Sequence, residues 1–266
     1  MKIIGMIGFG AIGELVAKYL SEAGSIQLGP VLMRPGRAVA IAAKLPKPGW
    51  PCEDVDALIR ARPSLVVECA GQEALRAHGA AILAAGIDLM PIATGVFADH
   101  DFRQRMIETA RASGARILIP AGATAGLDGL GALAVGGLDR VIYTSIKPPH
   151  AWRGTPAEQA IDLDRVTTAT IFYEGPADQA ALAYPRNANL AATVALAGAG
   201  FERTIVRLVA DPAATGNGSA IEAEGAFGRL SVKLSGPAMA DNPRTSAVTA
   251  LSIVRALRNE AGTFVI

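Results

Sequence analysis

Charge is scarce in this chain, and aromatic and sulfur-bearing side chains are scarce too. Only 18% of its 266 residues are charged, and the formal net charge is +1. There is no basic run and no basic patch interleaved with aromatics, which argues against a nucleic-acid partner. The two cysteines, Cys52 and Cys69, have neither a CxxC spacing nor a neighbouring histidine. That excludes a disulfide framework or a zinc site as the organising feature, and no other metal-ligating cluster stands out. Cys69 lies in an apolar run and reads as a small buried hydrophobe. No stretch of membrane-spanning length is free of charge or proline. The apolar residues 1–7 are too short for a signal peptide and run straight into glycines. The expectation is a cytoplasmic protein that binds neither membrane nor nucleic acid and carries no metal. What the chain does have is 51% hydrophobic residues and 29 glycines. This suits an α/β enzyme with closely packed helices and sheet, and argues against disorder.

The first half alternates strand-like and helix-like segments. Lys2–Ile7 is a short apolar run bounded by glycine, as in a buried parallel strand. Ala11–Glu22 has helical spacing, with Ile12, Leu15, Val16 and Leu20 on one side. Strands are expected at Gln27–Met33, Leu65–Cys69, Ile87–Ile92 and Arg116–Ile119, and helices at Asp54–Ala61, Gln72–Ala85 and Asp99–Ser113. Pro35–Lys44 reads as a loop with a short helix, and Pro46–Pro51 as a loop. This rhythm predicts a doubly wound parallel sheet. Beyond Pro120 the pattern changes. Longer strands are expected at Arg140–Lys147 and Arg165–Tyr173, and helices at Ala177–Tyr184 and Asn187–Ala199. Near-alternating segments at Thr204–Ala210, Ala220–Ala226 and Arg229–Leu234 suit an antiparallel sheet covered on one face. The last helix is expected at Thr245–Arg258, entered through Asn242 and Pro243. The fold class is therefore α/β, an N-terminal Rossmann sheet plus a C-terminal α+β domain with a mainly antiparallel sheet. The division falls near 120: residues 1–120 with the terminal helix of 241–266, and residues 121–240.

Gly8-Phe9-Gly10-Ala11-Ile12-Gly13 fits G-x-G-x-x-G. The first glycine permits the tight strand-to-helix turn, the second lets backbone approach a pyrophosphate, and the third lets the helix lie close to the strand. The helix start then offers free N–H groups to phosphate. Because the motif follows an expected strand and opens an expected helix, it marks residues 1–120 as a dinucleotide-binding domain. The second strand lacks the usual terminal carboxylate and runs into Met33-Arg34-Pro35-Gly36-Arg37. Arg34 and Arg37 either hold a 2′-phosphate or are ordinary surface charges, so NAD and NADP both stay open.

The order of further segments resembles the L-aspartate dehydrogenases over nearly the whole chain. After the Gly-rich turn come Glu68-Cys69-Ala70-Gly71, Gly122-Ala123 with Leu127-Asp128, and Lys147-Pro148-Pro149 with Ala151-Trp152. Tyr184-Pro185-Arg186-Asn187-Ala188-Asn189 then runs into Ala191-Ala192-Thr193, and Asp211-Pro212, Gly225-Ala226-Phe227-Gly228 and Asn242-Pro243-Arg244-Thr245-Ser246 complete the set. The resemblance implies NAD(P)-dependent interconversion of L-aspartate with iminosuccinate, or with oxaloacetate plus ammonia. It also implies an α+β domain with substrate-binding and homodimer surfaces. Ala70, Ala123 and Asn189 are implied cofactor contacts beside Gly8, Gly10, Ala11, Ile12, Gly13 and Arg34. Ala123 follows the last strand expected in the sheet, and the Asn189 amide both donates and accepts, as a carboxamide partner must. Lys147 is a candidate carboxylate clamp or proton donor. Arg186, Asn187 and Thr193 are candidate substrate contacts, with Arg244 a further carboxylate partner. Asp128 suits a helix start at least as well as catalysis, and Glu68 fits either a structural or a chemical role.

One departure bears on mechanism. The family carries a catalytic His in an Asn-x-His segment ahead of the Gly-x-Phe-Gly turn, and here the segment reads Asn217-Gly218-Ser219. Serine has no pKa near neutrality and cannot replace a general base or acid, although it can orient a water or a carboxylate. Of the three histidines, His78 and His100 read as surface residues. His150, in the Lys147–Trp152 segment, either supplies the lost imidazole or is an exposed loop residue. Imine reduction, which needs one proton, should therefore exceed oxidative deamination, which needs an activated water. Two other readings stay open: a related amine dehydrogenase or imine reductase with another substrate, and a non-catalytic NAD(P)-binding sensor. The Asn187/Asn189 segment favours an enzyme, and the missing His favours a sensor.

Overall fold

The computed structural model describes residues 1–21, 24, 26–239 and 242–266. The chain forms two compact units, Met1–Pro120 with Thr249–Ile266, and Ala121–Val248. The first unit contains, in order, β1 (Lys2–Ile7), α1 (Ala11–Ser21), β2 (Ile26–Leu32), α2 (Ala38–Ala42), β3 (Trp50–Cys52), α3 (Val55–Arg60), β4 (Leu65–Glu68), α4 (Gln72–Ala84), β5 (Asp88–Pro91) and α5 (His100–Ser113). Its five strands are parallel in the order β3-β2-β1-β4-β5. The order reverses between β1 and β4, and ligands of open α/β sheets bind at the carboxyl ends beside such a reversal.

The second unit contains α6 (Leu127–Val135), β6 (Arg140–Lys147), α7 (Ala157–Ala160), β7 (Thr170–Pro176), α8 (Ala177–Ala183), α9 (Ala188–Ala197), β8 (Thr204–Ala210), β9 (Asn217–Gly225), β10 (Gly228–Gly236) and the short pair β11 (Ala238–Met239) and β12 (Asn242–Ser246). The final helix, α10 (Ala247–Ala261), enters the first unit. The large sheet runs β10-β9-β6-β8-β7. Only β6 and β8 pair in parallel, and the other three pairings are antiparallel. Along β9, Ser219, Ile221 and Ala223 are buried while their neighbours are not, the alternation of a sheet covered on one face.

The first core gathers Met6, Val31, Val67 and Met90 from the sheet, Val16 and Leu20 from α1, and Ile253, Val254 and Leu257 from α10. Full burial of each such side chain contributes about 1.5–3 kcal/mol, which explains why a C-terminal helix belongs to an N-terminal sheet. Arg116 fastens the same helix from the edge, with Nη2 at 2.6 Å from Asp88 and 2.7 Å from Glu260.

Four expectations need correction. Trp50–Cys52 is a strand although Pro51 sits inside it; it is an edge strand, where proline is tolerated. Arg116–Ile119 makes a single parallel bridge, Ile117 to Leu89, and no strand, because Arg116 turns its amide to the Asp88 carboxylate and Pro120 ends the run. The strand expected at Arg165–Tyr173 begins only at Thr170. Asn242 and Pro243 lie in β12 and do not open a helix; α10 begins at Ala247, with the Ser246 hydroxyl accepting from Val248 N. Glu22, at the expected end of the first helix, and Ala240 and Asp241, at the expected domain join, lie outside the described residues.

Candidate active site

The Gly-rich turn leaves β1 at the point of strand reversal. Gly8 has φ +80°, a conformation L side chains avoid, and a Cβ on it would stand 2.7 Å from Ala70 Cβ. Gly8 N donates to Leu32 O at 2.9 Å, and Glu14 N to Gly10 O at 2.8 Å as α1 begins. A Cβ on Gly10 would meet no protein atom within 4 Å. The open side of the turn is therefore the approach a pyrophosphate needs, and the residues fit a dinucleotide.

Glu68, at the end of β4 and opposite Ile7, is fully buried beside this turn. Its Oε1 accepts from Ala70 N (2.6 Å) and Gly71 N (2.5 Å), and its Oε2 from Ala93 N (3.0 Å). Burial raises its pKa against the opposing pull of these amides. The carboxylate thus ties the loops after β4 and β5 together and holds Ala70 against Gly8. This is a positioning role that one buried acidic residue in an apolar run does not reveal. Cys69 is a half-buried free thiol whose pKa is raised by burial and by Glu68. Arg34 is exposed beyond β2.

In the second unit, Lys147 ends β6. Its Nζ donates to Asn187 Oδ1 at 2.6 Å and lies 4.9 Å from the centre of the Trp152 ring. Trp152 is a fixed platform: it is fully buried, its Nε1 donates to Val209 O at 3.0 Å, and its ring meets Phe172 edge-on at 4.8 Å. Lys147 and Asn187 line a small cavity with Thr155, Asn217 and Arg153, whose guanidinium pairs with Asp164. Arg153 and Asn217 are additions to the expected set. Arg153 directly follows the Ala151-Trp152 segment, and that adjacency was the available signal.

Ser219 is buried on β9 opposite Ser145, and its Oγ donates to Ala123 O at 2.8 Å. The hydroxyl therefore holds the turn that carries Ala123. Gly122, in the same turn, has Leu190 Cδ2 where its Cβ would be, 2.7 Å away, so Ala123 lies close to the start of α9. Asn189 is half-buried and Thr193 buried on that helix. Strand alternation puts Lys147, two residues past Ser145, on the same face as Ser219, at the diagonal spacing of about 7–8 Å. His150 is exposed on the 3-10 turn Pro149–Trp152, and Asp128 lies in the first turn of α6. The side chains of Arg186 and Arg244 lie outside those described.

The family profile described as homoserine dehydrogenase, NAD binding domain, matches residues 8–120, and that described as aspartate dehydrogenase, C-terminal, matches residues 128–260. The L-aspartate dehydrogenase of Ralstonia nicotianae is 43% identical over 264 residues, 98% of each chain. The L-aspartate dehydrogenase of Acinetobacter baylyi is 41% identical over 259 residues, 97% of each. The chain belongs to the L-aspartate dehydrogenase family. A crystal structure of aspartate dehydrogenase from Thermotoga maritima, 29% identical, superposes with a TM-score of 0.75 and covers 100% of this chain and 99% of its own. This member of the family is an NAD(P)-dependent oxidoreductase, and its fold class is a Rossmann sheet plus a mixed, mainly antiparallel sheet. Among the described residues no helix is long and apolar enough to cross a membrane.

Proposed function

We propose that this protein interconverts L-aspartate and oxaloacetate, through iminosuccinate, with NAD or NADP as cofactor, and that it reduces the imine better than it deaminates aspartate. The observation that carries the reading is the cluster at the end of β6. There Lys147, Asn187 and Asn217 line one small cavity, giving a cation and two amides for a carboxylate, while the exposed Arg153 at its edge is paired with Asp164. Gly8, Gly10, Ala11, Ile12, Gly13 and Ala70 would hold the dinucleotide, with Ala123 and Asn189 for its nicotinamide half. When bound, the cofactor supplies or accepts the hydride. Lys147 holds a carboxylate, Asn187 orients its ammonium, and Thr193 supports α9. Lys147 is also the proton donor to the imine nitrogen, since it shares a face with the position where the family's His would stand. Ser219 spends its hydroxyl on the Ala123 carbonyl, a positioning task, and supplies no base to activate water for attack on the imine carbon. Deamination suffers for that reason.

The serine at position 219 favours a second reading, an imine reductase or amine dehydrogenase with another substrate working in the direction of imine reduction, where no water needs activation. Absorbance at the reduced-nicotinamide band separates the two. Rapid loss of NADH or NADPH with oxaloacetate and ammonia supports the aspartate reading. No turnover in either direction with bound cofactor would refute it. A cytoplasmic homodimer completes the proposal, on the family resemblance, and light scattering after size exclusion tests the dimer.

A further inference from the structure

The sequence places no carboxylate at the end of β2, but the structure brings one there from just past the neighbouring strand. β3 lies parallel to β2 with Cys52 opposite Leu32, and Met33 N donates to Cys52 O at 2.7 Å. Glu53, the next residue, is thereby set beside the Met33–Arg37 segment. Its Oε1 accepts from Ala38 N at 3.0 Å. The amides of Ala38, then Gly36, then Arg37 hold its carboxyl below the ordinary glutamate range. Both Glu53 and the segment it organises, Arg34 to Arg37, are exposed. In Rossmann domains the end of β2 reads the 2′ substituent of the adenosine ribose, a carboxylate accepting from a 2′-hydroxyl and an arginine donating to a 2′-phosphate. Here the two chemistries meet, with a carboxylate from the residue after β3 and two arginines from the loop.

We propose that Glu53 is the residue that selects between the cofactors, favouring NAD by offering its carboxylate to the 2′-hydroxyl and opposing the charge of a 2′-phosphate that Arg34 and Arg37 would otherwise attract. The inference rests on the dinucleotide reading of the first unit, and it deepens that reading by assigning the preference to one side chain. Glu53 is 40 residues beyond Gly13, twice as far from the motif as the usual acidic residue, so sequence spacing hides it.

The test is direct binding, independent of turnover. NADH and NADPH are titrated separately into the full chain, followed by nicotinamide fluorescence, for the wild type and for Glu53→Gln. Glutamine keeps an oxygen for the Ala38 amide and removes only the charge. The wild type is expected to bind NADH more tightly, and Glu53→Gln to shift the NADPH-to-NADH affinity ratio at least 10-fold toward NADPH, with the thermal midpoint unchanged. Glu53→Ser, which also frees the loop, should shift it in the same direction. A ratio that moves less than 2-fold in both variants, or a wild type that already prefers NADPH, would overturn the assignment. A wild type that binds neither cofactor would overturn the dinucleotide reading itself, and the selection with it.

Discussion

Around the Gly8–Gly13 turn the polar contacts are made largely by backbone: Gly8 N to Leu32 O, Cys69 N to Ile7 O, and the amides of Ala70, Gly71 and Ala93 on Glu68. At the end of β6 they are made by side chains: Lys147 on Asn187 and Trp152, and Ser219 on the Ala123 carbonyl. A backbone site needs particular glycines at particular φ angles, and one added Cβ ruins it. A side-chain site can exchange one group for another while its neighbours stay in place. This contrast accounts for a chain whose Gly-rich turn is complete while the position at which the resemblance implies a His carries a serine.

The contrast is broken most sharply at Gly10. A Cβ there meets no protein atom, so Gly10→Ala should fold with a thermal midpoint within about 2 °C of the wild type. The same Cβ stands where a pyrophosphate approaches, so affinity for either cofactor should fall about 100-fold, read by fluorescence titration. Gly8→Ala is the counterpart. With φ +80° and Ala70 Cβ only 2.7 Å away, it should lose about 2–4 kcal/mol of stability as well as binding. If both variants bound cofactor normally, the turn would not be the cofactor site.

On the side-chain half, Lys147→Met keeps an apolar stem over Trp152 and removes the ammonium. Amination should slow by about 100- to 1000-fold while Trp152 fluorescence stays native. A loss below 3-fold would remove Lys147 from both roles assigned to it. Ser219→His should then raise deamination by about 10-fold or more and change reduction of preformed iminosuccinate far less, because only the exchange of water at the imine carbon needs the acid/base group. Ser219→Ala should cost about 1 kcal/mol, since the half-buried Ala123 carbonyl loses its donor.

The same contrast decides what could be read from the sequence. Regular elements of the first unit follow from apolar runs and glycine punctuation, and β1 is found over Lys2–Ile7 as the pattern predicts. β3 escaped because three residues containing a proline carry no period, and with β3 went the neighbourhood of Glu53. Lys147 and Asn187 were legible only through resemblance, as members of ordered segments. That they touch is a tertiary fact, set by β6 and the turn before α9. The use of Ser219 was illegible, because nothing in Asn217-Gly218-Ser219 says that its hydroxyl meets a carbonyl 96 residues away.

The smallest effect is expected at His150, and it separates two ways of replacing a lost imidazole. Either another imidazole moved into the site, or the chemistry shifted to the neighbouring cation. His150 is exposed on the Pro149–Trp152 turn, whereas Lys147, three residues earlier, is held between Asn187 and Trp152. A group that moves a proton in step with hydride transfer has to be held, because misplacement alone costs orders of magnitude. His150→Ala should therefore leave kcat/KM for amination within about 2-fold and leave its pH profile unmoved. A 10-fold fall, together with loss of a limb near the usual histidine pKa of about 6.5, would instead make His150 the relocated acid and reduce Lys147 to a carboxylate clamp.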